Sequence, residues 1–320
     1  MRRVSLHLFL IALISLPVMG QDNAQRELQQ AFQLNGQGQF AQVIERIKPL
    51  ISGSTLSERD LGRAWLQLAM AYHQEGRYQE ATTAYEQTLR FAGSDLKYAA
   101  QYAEALHSFA ILYRDTGDAE TARKMLAKAL SVYAEIDARA GVTEVCRSLA
   151  DIALGQKHTK EARGYLQRAF DASKDANGLN DDTFAALLST QGWLNETDKN
   201  YAAAESDFQH ALTLWKKIHG EQHFLVGWGY MLLGKSNEEA GDVRDALDNM
   251  RKGIGVLEKT PGRNNIMFLE GELAYAGALD ASGSHAEARE LKTVAEEALR
   301  NLFRSQCIQC RVSAVAVSLR

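Results

Sequence analysis

The chain has 320 residues, 46% of them hydrophobic, with 3 prolines and a formal net charge of −4. That length suits two ordinary domains or one extended repeat array, and the hydrophobic content suffices for a continuous core. So few prolines disfavour a turn-rich all-β fold, and a mildly acidic chain without a dense Lys/Arg tract lacks the electrostatic footprint of a nucleic-acid binder.

Residues 1–20 read as a secretory signal peptide. Arg2 and Arg3 give a positive start, residues 6–16 an apolar run, and Pro17-Val18-Met19-Gly20 ends in a small residue before Gln21. An uncleaved anchor needs about 20 apolar residues, which this segment does not supply, and no cysteine stands near Gln21 for lipidation. The expectation is an exported chain, bacterial periplasm in preference to full secretion, with no membrane span in the mature protein.

The best-formed stretch of the chain is 62–95. Trp65, Leu68, Ala69 and Tyr72 recur at helical spacing, Glu75-Gly76-Arg77 makes a tight turn, and Tyr78, Ala81, Tyr85 and Leu89 repeat the spacing on a second helix. Small Ala69 and Ala81 against large Trp65, Tyr72 and Tyr85 let two helices approach and interlock. Six further units follow the same pattern: 24–57, 103–136, 143–176, 185–218, 227–260 and 269–302. Unit 24–57 is degenerate, with Val43 in place of the alanine and Pro49 near its end, as suits a terminal cap; Lys292 replaces an aromatic in the seventh. Successive units start 38, 41, 40, 42, 42 and 42 residues apart, and Gly178, Gly220 and Gly262 recur in the connecting loops.

This pattern resembles the tetratricopeptide repeat, in the 42-residue form of kinesin light chains. The resemblance covers 21–302 and implies an all-α fold: an α-solenoid, a right-handed superhelix of about seven helix-turn-helix units, with the first helix of each unit on the concave face. It also implies a groove for a protein or peptide partner. By the family's geometry Arg63, Met70, His73, His107, Arg114, Arg147, Trp193, Trp228, Lys235 and Glu238 project into it, as do Leu66 and Met231. Trp193 and Trp228 would be apolar anchors; the competing reading is a solvated helix face with incidental charges. The Lys, Asn and Arg of the family's carboxylate clamp are absent: Leu66, Met70, His107, Ser108 and Ile111 stand there. Chaperone-tail binding is therefore not carried over.

The tail 303–320 holds Cys307 and Cys310 in a C-x-x-C. In an oxidising compartment the pair suits a small disulfide; free thiols, a redox pair and a metal site are the alternatives. A thioredoxin-like βαβ setting is missing, and one C-x-x-C offers two of the four ligands zinc needs. Cys146 takes an aromatic core position and reads as buried and inert. His219 and His223 stand four apart but flank Gly220-Glu221-Gln222, a loop composition, so they read as loop residues. No phosphate-binding glycine loop, nucleophile elbow or H-E-x-x-H is present. The expected function is a non-catalytic, exported interaction scaffold with no cofactor or metal; the alternative is a thiol-redox accessory protein acting through Cys307 and Cys310. Oligomeric state is not legible.

Overall fold

A computed structural model describes residues 16–53, 56–92, 96–174 and 181–306. The signal segment up to residue 15, Gly178, and Cys307 with Cys310 lie outside the described residues.

The described residues form fourteen α-helices: α1 (Leu16–Gly36), α2 (Phe40–Ser52), α3 (Glu58–Gln74), α4 (Tyr78–Ala92), α5 (Ala99–Asp115), α6 (Ala119–Glu135), α7 (Arg139–Gly155), α8 (Thr159–Lys174), α9 (Asp181–Thr197), α10 (Tyr201–His219), α11 (Phe224–Ala240), α12 (Val243–Leu257), α13 (Ile266–Ala281) and α14 (His285–Gln306). Consecutive helices pack as seven antiparallel hairpins, and each hairpin stacks on the next. The chain is an all-α solenoid. Helix α1 starts at Leu16 and runs unbroken across the expected cleavage point before Gln21. The first helices of the later hairpins begin three or four residues ahead of the unit starts read from the sequence.

At three of the helix starts a side chain satisfies a free N–H group. Ser57 Oγ accepts from the Asp60 amide, Asp118 Oδ1 from Thr121 and Asn265 Oδ1 from Met267. Inside the hairpins, fully buried Ala69, Ala81, Ala110, Ala122, Ala150 and Ala162 set the close helix approach. In the fifth hairpin even alanine is too large: a Cβ on Gly192 would stand 2.6 Å from the Phe208 ring. Aromatic rings join neighbouring hairpins: Tyr85 of α4 stacks on Phe109 of α5 at 5.1 Å, and Phe109 in turn packs on Tyr113 of its own helix at 4.9 Å. Cys146 is buried and free.

The turn within each hairpin has one residue with positive φ, two positions before the second helix. Glycine fills it in five hairpins, but Lys157 (φ 61) and Lys199 (φ 62) fill it in the fourth and fifth. A residue with a Cβ is disfavoured in that conformation by about 1 kcal/mol.

The array also closes on itself. The turn edge of the first two hairpins rests on the loop edge of the last ones. His223 Nε2 lies 3.1 Å from the Gly36 carbonyl, and the Asn265 amide donates to the Gln74 carbonyl. Phe40 meets Phe224 at 5.9 Å, Tyr78 stacks on Phe303 at 6.2 Å, and Thr260 packs over Gly38. One core therefore runs from Leu28, Phe40 and Leu66 to Met231, Phe268, Leu299 and Phe303. Leu66 and Met231, expected to face the groove, are each 2% exposed within that closure.

Lys157→Gly should raise the unfolding free energy by about 1 kcal/mol, whereas Gly192→Ala should lower it by about 1–3 kcal/mol through overpacking against Phe208. Denaturant titration of the two variants checks both signs.

Candidate functional site: the inner face of the solenoid

The first helices of successive hairpins (α1, α3, α5, α7, α9, α11 and α13) touch one another along the array, whereas the second helices diverge. The first helices therefore line the inner face, and the closure bounds it at both ends. Their inward side chains form a polar ladder. His73 Nε2 on α3 lies 3.0 Å from Asp115 Oδ2 on α5. The Arg114 guanidinium binds Asp115 at 2.8 Å and reaches Asp151 on α7 at 3.7 Å. Arg147 binds Asp151 at 2.7 Å and Glu144 at 3.3 Å. From α9, Thr190 donates to Asp151 at 2.7 Å and Thr183 to Glu144 at 2.5 Å. Beside this ladder His107 meets Ser148 at 2.9 Å. A second cluster lies further round, where Lys235 binds Glu238 at 3.1 Å and Glu239 at 3.0 Å, near Glu196 on α9.

Burial and partners set the charge states. Burial works against ionisation of Asp115 and Glu144, but Arg114 with His73, and Arg147 with His107, outweigh it and hold both carboxyls below the usual range. Burial lowers the His107 imidazole to about 4, and it stays neutral in the ladder. Other carboxyls lack such support. Glu196 is pushed up to about 7 by burial, with Lys235 offsetting and Glu239 and Glu238 adding to the shift. Glu270 on α13 is pushed up to about 7 by burial and by Asp115, against the pull of Arg114. Glu104 on α5 is raised by burial despite Arg63. None of Glu104, Glu196 and Glu270 has a hydrogen-bond partner among the described residues.

The ten residues expected in the groove divide into three groups. His73, Arg114 and Arg147 belong to the ladder, with His107 alongside; Lys235 and Glu238 form the second cluster. Arg63 is exposed near Asp60 at 3.7 Å, and Met70 packs half-buried on the closure core. Trp193 is half-buried between the cores of hairpins four and five, near Gly155, and Trp228 between those of hairpins five and six and the closure. Sequence reasoning missed Asp115, which follows Arg114 at the end of α5, and Glu270. The signal for Glu270 was present: it holds the second position of its unit, as Arg63, Glu104, Glu144 and Trp228 do in theirs. His219 and His223 stack at 4.0 Å; His219 meets Asp182 at 2.8 Å while His223 caps α11 and joins the closure. Among the described residues no group of three His, Cys, Asp or Glu side chains converges as a metal site, and no helix is long and apolar enough to cross a membrane.

A family model for the tetratricopeptide repeat matches residues 60–135, 101–175 and 183–259, more than half of the chain. No curated protein matches. Among solved structures, the Rap conjugation gene regulator of plasmid pLS20 in complex with the Phr* peptide superposes with TM-score 0.72 at 11% identity, covering 96% of this chain and 81% of that one. A Rap protein complexed with competence and sporulation factor gives TM-score 0.61 at 10% identity, covering 89% and 79%.

The unpaired Glu270 has a consequence for stability. Its folded pKa lies above the ordinary value of 4.5, so between pH 4.5 and about 7 the folded state binds the extra proton and stability falls as pH rises. Glu270→Gln should therefore stabilise the protein by about 2 kcal/mol at pH 8, and by nearly nothing at pH 4. Thermal unfolding of both proteins across pH 4–8 measures the difference, and a pH-independent difference would refute it.

Proposed function

Because the chain belongs to the tetratricopeptide repeat family, we propose that it is a non-catalytic interaction scaffold whose inner face holds an extended peptide or a peptide-like segment of a protein partner. The observation that carries this reading is the concentration of partly buried charge on the inner face. Arg114, Asp115, Arg147 and Asp151 are between 14% and 32% exposed, recessed yet reachable, whereas exposed pairs such as Lys124–Glu120, 73% and 81% exposed, are screened by solvent and contribute little. Recessed ions lose solvation, which a purely structural helix face avoids by using apolar groups. The same fold in a regulator bound to the Phr* peptide supports a peptide as occupant.

Selection of peptides from a random library on the immobilised protein tests the reading. The selected peptides should bind Glu104→Arg, altered on the inner face, at least tenfold more weakly than the parent. They should bind Glu205→Arg, the same charge change on exposed α10, as they bind the parent. Equal loss in both variants, or loss in α10 alone, would place binding elsewhere.

Export belongs to the same proposal and rests on residues 1–20. Expressed with its native start in a Gram-negative host, the chain should be recovered from the osmotic-shock fraction with Gln21 as its first residue. Deletion of 2–16 should leave it in the cytosol.

A further inference from the structure

The closure is held by two side chains at the same repeat position, each just ahead of an inner helix. Before α11, His223 Nδ1 accepts from the Leu225 amide at 3.4 Å, and its Nε2 meets the Gly36 carbonyl at 3.1 Å. Before α13, Asn265 Oδ1 accepts from the Met267 amide at 2.8 Å, and its Nδ2 donates to the Gln74 carbonyl. Gly36 and Gln74 are the last residues of α1 and α3, the inner helices of the first two hairpins. Each side chain therefore caps its own helix and ties it to a helix from the opposite end of the array. Asn265 shows that neither role needs a titratable group. His223 adds one.

We propose that His223 is a proton-operated latch: its neutral ring caps α11 and holds the closure, and a second proton breaks both contacts and biases the closure toward opening. The inference goes beyond the scaffold reading and does not depend on it. Acceptance at Nδ1 requires the neutral ring with its proton on Nε2. A second proton sits on Nδ1, where it meets the Leu225 N–H donor to donor. It also puts positive charge at the N-terminus of α11, where the helix dipole is already positive. The ring is 6% exposed, so water gives that charge little solvation. The titratable group facing the ring is His219 at the end of α10, stacked at 4.0 Å, with Asp182 of α9 behind it at 2.8 Å. Other charges of this loop are engaged: Lys216 binds Glu221 at 3.2 Å, and Lys259 meets Gln222 at 3.4 Å. From the first hairpin come Gly36, Gly38 and Phe40, none of which titrates. Burial first and His219 second lower the imidazole to about 4, and the Gly36 carbonyl offsets part of the shift. In the open form the ring returns to water and to its ordinary value of 6.5. The closed form thus favours the neutral ring: closure is fully supported above pH 6.5 and loses support as pH falls toward 4. The ratio of closed to open chains should fall about 30-fold from pH 8 to pH 5.

Native-state hydrogen exchange at pH 8 and pH 5, corrected for intrinsic rates, tests the latch on the full chain. In the parent, protection of the first turn of α11, Leu225 included, should fall about 30-fold, while α6 and α7 keep theirs. His223→Asn, which copies Asn265, should hold that protection within about threefold over the same range. Asn265→His puts a second titratable ring at the matching position and should make the loss steeper than in the parent. Each protein is judged by the ratio of its protection at the two pH values, so a uniform loss of stability does not mimic the effect. If His223→Asn does not fold, Asn265→His and an imidazole titration of the parent decide, with His223 titrating well below 6.5. Flat protection of α11 in the parent, a His223→Asn chain as pH-sensitive as the parent, or equal loss in α6 and α7 would overturn the latch.

Discussion

The contact between the turn after α1 and the loop before α11 is the constraint on which the rest of the structure depends. There His223, 6% exposed, spans two roles: its Nδ1 accepts from the Leu225 amide and its Nε2 meets the Gly36 carbonyl, 187 residues away. Burial, with His219 stacked against it, lowers its imidazole to about 4, so the ring is neutral at ordinary pH. A neutral imidazole has one donor and one acceptor, which is what this junction uses. Phe40 on Phe224 and Tyr78 on Phe303 add the apolar part of the seam. In an open repeat array each unit touches only its neighbours and the ends fray independently. Here the first hairpins bury surface against the last, so fraying of either end exposes the other.

Much of the fold was legible in the sequence because its determinants are local and recur with one period. The buried alanines at the helix crossings, the glycine turns and the loop glycines Gly220 and Gly262, both at positive φ, all stand at the expected register. The seam was not legible. Its partners are separated by about half the chain or more, and each side of it is a turn or loop that looks, by itself, like ordinary solvated punctuation. For the same reason Leu66 and Met231 looked like groove residues: their unit positions face inward, and only the meeting of the two ends covers them. Trp193 and Trp228 illustrate a related ambiguity, since an aromatic at an inward register can turn sideways and fill the gap between hairpins. Asp115 lay one residue beyond the positions the repeat pattern marks.

The inner ladder and the outer ion pairs obey different energetics. Outside, pairs such as Lys174–Asp171 are screened and contribute little. Inside, Arg114 is shared between Asp115 on α5 and Asp151 on α7, Arg147 between Asp151 and Glu144 of its own helix, and threonines of α9 supply further donors to Asp151 and Glu144. Desolvated charge is tolerable only when its remaining sites are satisfied, and the ladder satisfies most of its own. It also crosses hairpin boundaries at α3–α5, α5–α7 and α7–α9, so it ties the relative rotation of neighbouring units to fixed polar distances. Removing one member would strand the others, which is why conservative or charge-neutralising changes at unpaired positions probe this face more cleanly than truncating an arginine.

Where the ladder ends, its logic points outward. Its cations are consumed within it, while Glu104, Glu196 and Glu270 remain carboxylates without a hydrogen-bonding partner, each shifted upward chiefly by burial. Glu104 is exposed and Glu196 and Glu270 are half-buried, and a folded chain gains stability by replacing half-buried, unpaired carboxylates with neutral groups, so the presence of Glu196 and Glu270 on this face is a cost that packing does not explain.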